Sequence, residues 1–416
     1  MNTYRSVKLY LRRLLLISLF CPFAIPAMTA AGNAESCYRQ IDAGLDNLQK
    51  QLPAITSSAE KAATACVKND FAIVVFGDPG LVSEAVGRAG GLMAIKRGNL
   101  KTDDSSKTVA LFFPYPPVQE EELAAAVKMQ KSGGIIVIFG DALLKTAAIK
   151  AGITADNFID TGCPAETLKF PSDSVMNMAA LWCWTGEFVA ACTRLNRMPT
   201  LYQSFSVPGA RERAAKLRGL KFHSETPQPV AAGVLGIQYL AGLKQSLIML
   251  HKKELDHIRA AAAQAVSATK SGHLVYLSVN GHAPVGHLPR IKEELRMPTL
   301  NKKWKPFSGD TKLDKGDFVL FIGYDDTVPA LAEAVQKANA GMAWSLTDYK
   351  IASAGSATIP PEQIFINQRW TLGDAITTVP GYDIRILPPS GVIAETILGM
   401  ILAEMDSIEH SGDSPK

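Results

Sequence analysis

Residues 71–80 read FAIVVFGDPG. An unbroken apolar run is typical of a strand buried on both faces of a parallel sheet, and Gly-Asp-Pro-Gly indicates a tight turn after it. We predict a strand over 71–76 and a helix over 81–88. The same order continues through the first half, with strands over 109–113, 135–139 and 157–161 and helices over 118–131, 142–151 and 175–194. Strands that alternate with helices predict a parallel, doubly wound sheet.

The second half of the chain repeats this order. We predict strands over 273–279, 318–323 and 342–347 and helices over 235–270, 328–340 and 392–405, while residues 363–370 have no clear pattern. Two segments, KFPSDS at 169–174 and ILPPSG at 386–391, each place a proline and a serine before a long apolar helix. Their serines, Ser172 and Ser390, are 218 residues apart. This spacing, about half of the chain, indicates a duplicated α/β domain.

The first 30 residues have the order of a secretory signal peptide. A basic start is followed by a short apolar run over 14–23 and by small residues up to Ala30 and Ala31. The apolar run is shorter than the roughly 20 residues that a membrane span needs. We predict cleavage near Ala30 and export to the periplasm or the extracellular space, with a retained signal anchor as the alternative. We predict no stable membrane span after cleavage.

The leader also explains the basic composition. Residues 1–30 hold four of the 43 basic residues and none of the 39 acidic ones, so the rest of the chain is balanced at 39 of each. We therefore predict no binding to nucleic acid. Five cysteines remain after the leader, without the paired short spacing of a zinc site, and we predict neither a metal nor a cofactor. For these cysteines, buried free thiols are favoured over disulfides; they are Cys37, Cys66, Cys163, Cys183 and Cys192.

Several segments resemble the SIS (sugar isomerase) domain family. In the first half these are Phe76-Gly77, RAGGL at 88–92, IDTGCP at 159–164 and SVPG at 206–209. In the second half they are GDFVLFI at 316–322 and the helix over 329–340. The resemblance covers residues 37–410 and is more specific in the first half.

The resemblance implies two tandem three-layer αβα domains, each with a parallel flavodoxin-like sheet. Such a pair is similar to the isomerase half of glucosamine-6-phosphate synthase. We place the first domain at 37–215, a linker at 216–234 and the second domain at 235–410. In the family, sites lie at the carboxyl ends of the strands where two copies meet. A homodimer is a possible assembly.

Polar and glycine residues follow the predicted strands of both halves. Backbone N–H groups of glycine turns and hydroxyls at helix starts are the groups that could hold a ligand there. The predicted ligand contacts are Gly77, Asp78, Gly80, Ser172, Ser174, Asn280, Gly281, Tyr324, Asp325, Asp326, Thr327 and Ser390. The three serines have a second interpretation as N-caps of the helices that they precede.

Two loops differ from a typical phosphate loop of the family. The first half has PYPP at 114–117, in which prolines lack N–H donors, and the second half has GYDDT at 323–327, in which paired aspartates repel a phosphate. Carboxylates and aromatic rings at strand ends instead suit the hydroxyls of a sugar. We therefore expect an unphosphorylated or acidic sugar or sugar derivative as the ligand.

Catalysis of aldose-ketose isomerisation needs a carboxylate base and a second proton-transfer group. The resemblance places the base near Glu166, which can also be read as a surface carboxylate. His282, in the segment NGHAPVGH at 280–287, follows a strand and could contact a sugar or act as an acid. It could equally be a loop histidine with no role. The alternatives to an isomerase are a noncatalytic sugar-binding module and a periplasmic-binding-type protein whose likeness to the family is architectural.

Overall fold

The computed structural model describes residues 33–101, 106–116, 118–162, 172–224, 226–294, 297–300, 312–347 and 359–411. The described chain begins with two helices, α1 (Ala34–Lys50) and α2 (Leu52–Asn69). The side chain of Asn33 accepts a hydrogen bond from the backbone N–H of Ser36 and so caps α1. Helix α2 begins with a proline in its first turn, where no N–H is needed.

The first sheet has five parallel strands in the order β2-β1-β3-β4-β5. The strands are β1 (Ala72–Gly77), β2 (Ile95–Arg97), β3 (Thr108–Phe113), β4 (Ile135–Gly140) and β5 (Phe158–Asp160). The helices are α3 (Pro79–Ala85), α4 (Gln119–Lys131), α5 (Ala142–Ala151), α6 (Ser172–Arg194) and α7 (Ala210–Leu217). Strand β2 was not predicted, because its three residues are too short for a pattern.

The second sheet has four parallel strands in the order β6-β7-β8-β9. They are β6 (Val275–Val279), β7 (Phe318–Ile322), β8 (Gly341–Leu346) and β9 (Ile364–Asn367). The helices are α8 (Val234–Lys270), α9 (His282–Gly286), α10 (Leu288–Glu294), α11 (Pro329–Ala338) and α12 (Ser390–His410). A small antiparallel pair, β10 (Thr377–Thr378) and β11 (Arg385–Ile386), precedes α12. The predicted α/β fold with two tandem αβα domains and parallel sheets is confirmed.

One apolar core lies between the two sheets. Alternate residues of β1 and β6, such as Val75 and Leu277, face a shared cluster that includes Trp182 and Trp184 of α6 and Leu243 of α8. The opposite face of the first sheet packs against α4 and α5, and the opposite face of the second packs against α11. Strands buried on both faces explain the unbroken apolar runs of the sequence. The boundaries of the two domains at 37–215 and 235–410 stay a prediction.

Helices α3 and α9 bring the carboxyl ends of β1 and β6 together. A Cβ on Gly286 would lie 2.6 Å from the Cα of Gly80, so this approach requires glycine. The segment that carries His282 is therefore a short helix packed on α3, where the sequence had predicted a loop. The loop prediction was wrong because the contact that orders the segment comes from residues about 200 positions earlier.

Three described cysteines, Cys66, Cys183 and Cys192, are buried free thiols, as predicted, and burial raises the pKa of Cys66 to about 12. Cys37 is also buried, and Cys163 lies outside the described residues. In the described ranges, which exclude the leader, no helix is long and apolar enough to cross a membrane.

Candidate functional site

A pocket of about 600 Å³ lies where the strand ends of the second sheet face the first half of the chain. We call it the second-copy pocket. The second half contributes side chains that follow β6, β7 and β9, and the first half contributes Arg88 and the segment after α6. The lining residues used below are Arg88, Phe205, Ser206, Arg211, His282, Tyr324, Asp325, Asp326, Trp370 and Asp374.

Arg88 extends from the first half of the chain into this pocket. Its guanidinium donates to Glu84 at 3.0 Å, forms an ion pair with Asp374 at 2.7 Å and donates to the hydroxyl of Ser390. Its Cζ lies 5.4 Å from the ring centroid of Tyr324, within the range of a cation–π contact. Burial alone would lower the pKa of Arg88, but Asp374 and Glu84 raise it well above its usual range. The buried guanidinium is therefore charged and neutralised by its partners.

Glu84 and Ser390 complete this cluster from behind the pocket. Glu84 is fully buried, and its Oε2 has no hydrogen-bond partner among the described residues. Ser390 is the first residue of α12, and its hydroxyl donates to Asp374 at 2.8 Å. Its backbone N–H donates to the other oxygen of Asp374 at 3.2 Å. The N-cap interpretation of Ser390 is therefore wrong, because the carboxylate of Asp374 satisfies the helix start.

His282 is held as a neutral imidazole at the edge of the pocket. Its Nδ1 lies 3.0 Å from the carbonyl oxygen of Ser83, and because a carbonyl can only accept, Nδ1 carries the proton. Its backbone N–H donates to the hydroxyl of Tyr324 at 3.2 Å. Burial, and then the charge of Arg88, lower the pKa of His282 to about 4. At neutral pH the ring thus has Nε2 as its acceptor nitrogen.

Carboxylates and aromatic rings form the rest of the lining. Asp325 is buried and accepts from the hydroxyl of Ser206 at 3.3 Å, and Asp326 is exposed. The indole of Trp370 donates to Gln368 at 2.8 Å, which fixes the orientation of its ring. Phe205 is half exposed, with the guanidinium of Arg211 4.6 Å from its ring centroid. Such a lining can accept hydrogen bonds from hydroxyls and stack on the apolar face of a sugar ring.

A related cluster lies at the strand ends of the first sheet, and we call it the first-copy crevice. Arg290 from the second half donates to Asp78 at 2.8 Å and to Asp173 at 3.3 Å, and its Cζ lies 5.9 Å from the ring centroid of Tyr115. His287 contacts Asp78 as well, at 2.6 Å. Each half therefore places an arginine over the tyrosine that follows the second long strand of the other half.

Some of the predicted ligand contacts lie in the second-copy pocket and others in the first-copy crevice. His282, Tyr324, Asp325 and Asp326 line the second-copy pocket, and Ser390 lies behind it. Gly77, Asp78 and Gly80 belong to the first-copy crevice, where Asp78 accepts from the backbone N–H of Gly80 at 2.8 Å.

The remaining predicted contacts are not among the lining residues. Ser174 is buried, Asn280 is exposed and Thr327 is half-buried. Gly281 lies beside Tyr324, with its φ at 153°. Ser172 begins α6, but its side chain and all of Glu166 lie outside the described residues. The ligand-binding and catalytic roles of all these residues stay predictions.

Two residues of the pocket, Trp370 and Asp374, and Glu84 behind it were missed from the sequence, and Ser206 was noticed only as part of the SVPG segment. Arg88 was noticed only as part of the RAGGL segment. Glu84 and Arg88 are four residues apart, a spacing that usually indicates an ion pair on the surface of a helix. In the described ranges, no group of three or more His, Cys, Asp or Glu side chains could hold a metal ion.

No protein-family model and no curated protein matches this chain. Solved structures do match. A candidate phosphosugar isomerase from Clostridium difficile 630 is 8% identical, with a TM-score of 0.49, over 92% of this chain and 95% of that one.

Two further structures match over similar lengths. A candidate sugar binding protein from Salmonella typhimurium LT2 is 11% identical, with a TM-score of 0.49, over 89% of this chain and 98% of that one. The C-terminal domain of glucosamine-fructose-6-phosphate aminotransferase from Francisella tularensis is 10% identical, with a TM-score of 0.46, over 87% of this chain and 94% of that one.

Proposed function

We propose that this protein binds a sugar or sugar derivative in the second-copy pocket. The observation that carries the proposal is the convergence of Asp325, Trp370 and His282 on one pocket of about 600 Å³. This volume is within the usual range for small-molecule sites, and a few convergent polar groups among aromatic rings are typical of them. The carboxylates can accept from hydroxyls, and Trp370 can pack against a ring.

The charges of the lining favour a neutral or amino sugar over a sugar phosphate. Arg88 is already paired with Glu84 and Asp374, so its charge is compensated before any ligand enters. Asp325 and Asp326 lie on the same wall and would repel a phosphate dianion. The sequence also allowed an acidic sugar as the ligand. Asp325 and Asp326 would repel its carboxylate as well, so such a sugar would have to place that carboxylate against Arg211.

Binding can be tested by intrinsic fluorescence, because Trp370 lines the pocket. The chain that begins after Ala30 is titrated with matched neutral, amino, acidic and phosphorylated monosaccharides. We expect a saturable change with a neutral or amino sugar and at least tenfold weaker binding of the phosphorylated form. Trp370→Phe identifies the source of the signal. Absence of binding across the set, or a preference for the phosphorylated sugar, would overturn the proposal.

A second candidate is isomerisation of the bound sugar, which the state of His282 favours. A neutral imidazole with Nε2 as acceptor can take a proton from a sugar hydroxyl during ring opening, and Asp325 could move a proton between carbons. The test is incorporation of deuterium from heavy water at the carbon beside the sugar carbonyl. Exchange that is lost in Asp325→Asn but kept in Asp326→Asn supports catalysis, whereas no exchange with a bound sugar leaves a binding protein.

We also propose that the protein is exported and that residues 1–30 are removed. The order of basic, apolar and small residues in the leader supports this proposal. Fractionation of producing cells, with mass spectrometry of the N-terminus, tests it. Full-length protein retained in the cytoplasm would contradict it.

A further inference from the structure

Helix α9 carries a histidine at each end, and the two have opposite environments. His282 is its first residue and His287 caps its C-terminus. His282 faces the second-copy pocket, whereas His287 is fully buried at the first-copy crevice. Only four residues separate them, so a constraint on one end of this short helix acts on the other.

His287 is bound at both ring nitrogens by carboxylates. Its Nε2 lies 2.6 Å from Asp78 and its Nδ1 lies 2.8 Å from Glu395. Carboxylates only accept, so both nitrogens carry protons and the ring is cationic. Burial alone would lower the pKa of His287, but Asp78 and Glu395 raise it to about 10. The other charged or titratable groups around Asp78 are Arg290, Asp173 and Glu122.

This ion triplet joins three elements at one point. Asp78 is the N-cap of α3, Glu395 belongs to α12, and His287 ends α9. The fit is tight, since a Cβ on Gly80 would lie 2.0 Å from Nε2 of His287. The same helix α3 presents the carbonyl oxygen of Ser83 to Nδ1 of His282. The position of α9 on α3 thus determines both contacts.

We propose that His287 is a positioning residue for His282. By holding α9 against α3, it keeps Nδ1 of His282 on the carbonyl of Ser83 and so maintains the tautomer that has Nε2 as acceptor. The proposed function is needed only for one part of this proposal, namely that Nε2 of His282 contacts the ligand. Arg88 and Asp374 are the charged groups that shift the pKa of His282, whereas Asp78 and Glu395 are those that shift the pKa of His287.

The test is nitrogen-15 NMR of histidine side chains in the protein without ligand, with His282→Gln used for assignment. In the native protein we expect an Nδ1-protonated His282 with a pKa of about 4. In His287→Gln the neutral side chain cannot hold both carboxylates, and we expect the pKa of His282 to rise toward 6.5 with loss of the single tautomer. His410→Gln, which removes an exposed histidine at the end of α12, should change neither.

Two further measurements apply if His287→Gln does not fold. Gly286→Ala adds a methyl group against Gly80 without changing charge, and it should shift His282 in the same direction. In the native protein, raising the pH through about 10 removes the charge of His287, and the His282 signals should move with that midpoint. The proposal would be overturned if His287→Gln folds and the pKa and tautomer of His282 are unchanged. It would also be overturned if the chemical shifts of His282 do not change during the alkaline titration. Neither readout needs a sugar, so failure of sugar binding is a separate result.

Discussion

The second-copy pocket and the first-copy crevice are two versions of one arrangement. In each, an arginine from the other half lies over a tyrosine and reaches an aspartate near the start of a long helix: Arg88, Tyr324 and Asp374 in one, Arg290, Tyr115 and Asp173 in the other. The pocket still exposes Asp325 and Asp326 to a ligand-sized space. In the crevice, Asp78 is bound by His287, Arg290 and the turn that follows it. The two regions therefore share one arrangement of charged and aromatic groups, and they differ in the contacts that their carboxylates make.

Glu122 lies beside Tyr115 and Asp78 in the first-copy crevice. Burial raises the pKa of Glu122 to about 7, although the backbone N–H of Tyr115 lowers it and Asp78 raises it further. A carboxyl group that is partly protonated at neutral pH is a weak partner for a cation or a hydroxyl donor. Four measurements test whether the two regions differ in stability, in titration and in ligand binding.

Replacement of the two arginines should have the largest effect. Arg88→Met leaves Glu84 and Asp374 buried without a counter-charge, and we expect a loss of about 3–5 kcal/mol in the free energy of unfolding. Arg290→Met leaves Asp78 paired with His287, so its loss should be smaller. Urea denaturation of both variants measures the difference. Equal losses would mean that the two clusters are energetically equivalent.

The pH dependence of stability should be opposite for the two histidines of α9. The pKa of His287 is raised to about 10, so its contribution is complete below pH 6.5 and is lost as the pH rises to 10, on the order of 5 kcal/mol. The pKa of His282 is lowered to about 4, so its contribution is complete above pH 6.5 and is lost as the pH falls to 4. Thermal unfolding should therefore show a maximum near pH 6.5.

The control for this pH profile is His287→Gln, which should remove the alkaline slope and, because the pKa of His282 then rises toward 6.5, also flatten the acid slope that His282 contributes. A native profile that is flat between pH 6.5 and 10 would contradict the assignment of His287 as a buried cation.

Carboxylates of the two regions should differ in their effect on ligand binding. Asp325→Asn removes an acceptor of the pocket, and we expect at least tenfold weaker binding of the sugar found by fluorescence, about 1.4 kcal/mol. Glu122→Gln, at the first-copy crevice, should leave the affinity unchanged. Isothermal titration calorimetry compares the two variants. Weaker binding in Glu122→Gln would place the ligand in the first-copy crevice instead.

The smallest effect is expected for the serines at the starts of the long helices. Ser390→Ala removes a buried hydrogen bond of 2.8 Å to Asp374 and should cost about 1 kcal/mol. Ser174→Ala removes a contact of 3.4 Å to Asp173 and should cost less. Thermal unfolding at pH 6.5 compares them. A larger loss in Ser174→Ala would mean that the helix start of the first half depends more on its serine.

Much of the fold could be predicted because the apolar patterns are local. The runs over 109–113 and 135–139 correspond to β3 and β4, and the helix predicted over 235–270 is α8. Asp325 and His282 were found because they directly follow strands. Glu84 was missed because its burial depends on α12 of the other half, where a Cβ on Gly391 would lie 2.4 Å from its Oε1. Trp370 was missed because the apolar residues of its segment do not recur with the period of a helix or a strand.

The amino-acid pattern was sufficient to predict two parallel sheets, since strand and helix signals reside in consecutive residues. It also led us to expect two loops that are unsuited to a phosphate, because prolines lack N–H donors and aspartates repel an anion. The tertiary structure was needed to show that polar side chains after the strands of the second sheet line a pocket, and that His287 rather than His282 is charged. His287 meets Asp78 across 209 positions, and Arg88 meets Ser390 across 302. The pKa of a buried group depends on such distant partners, and no local pattern contains them.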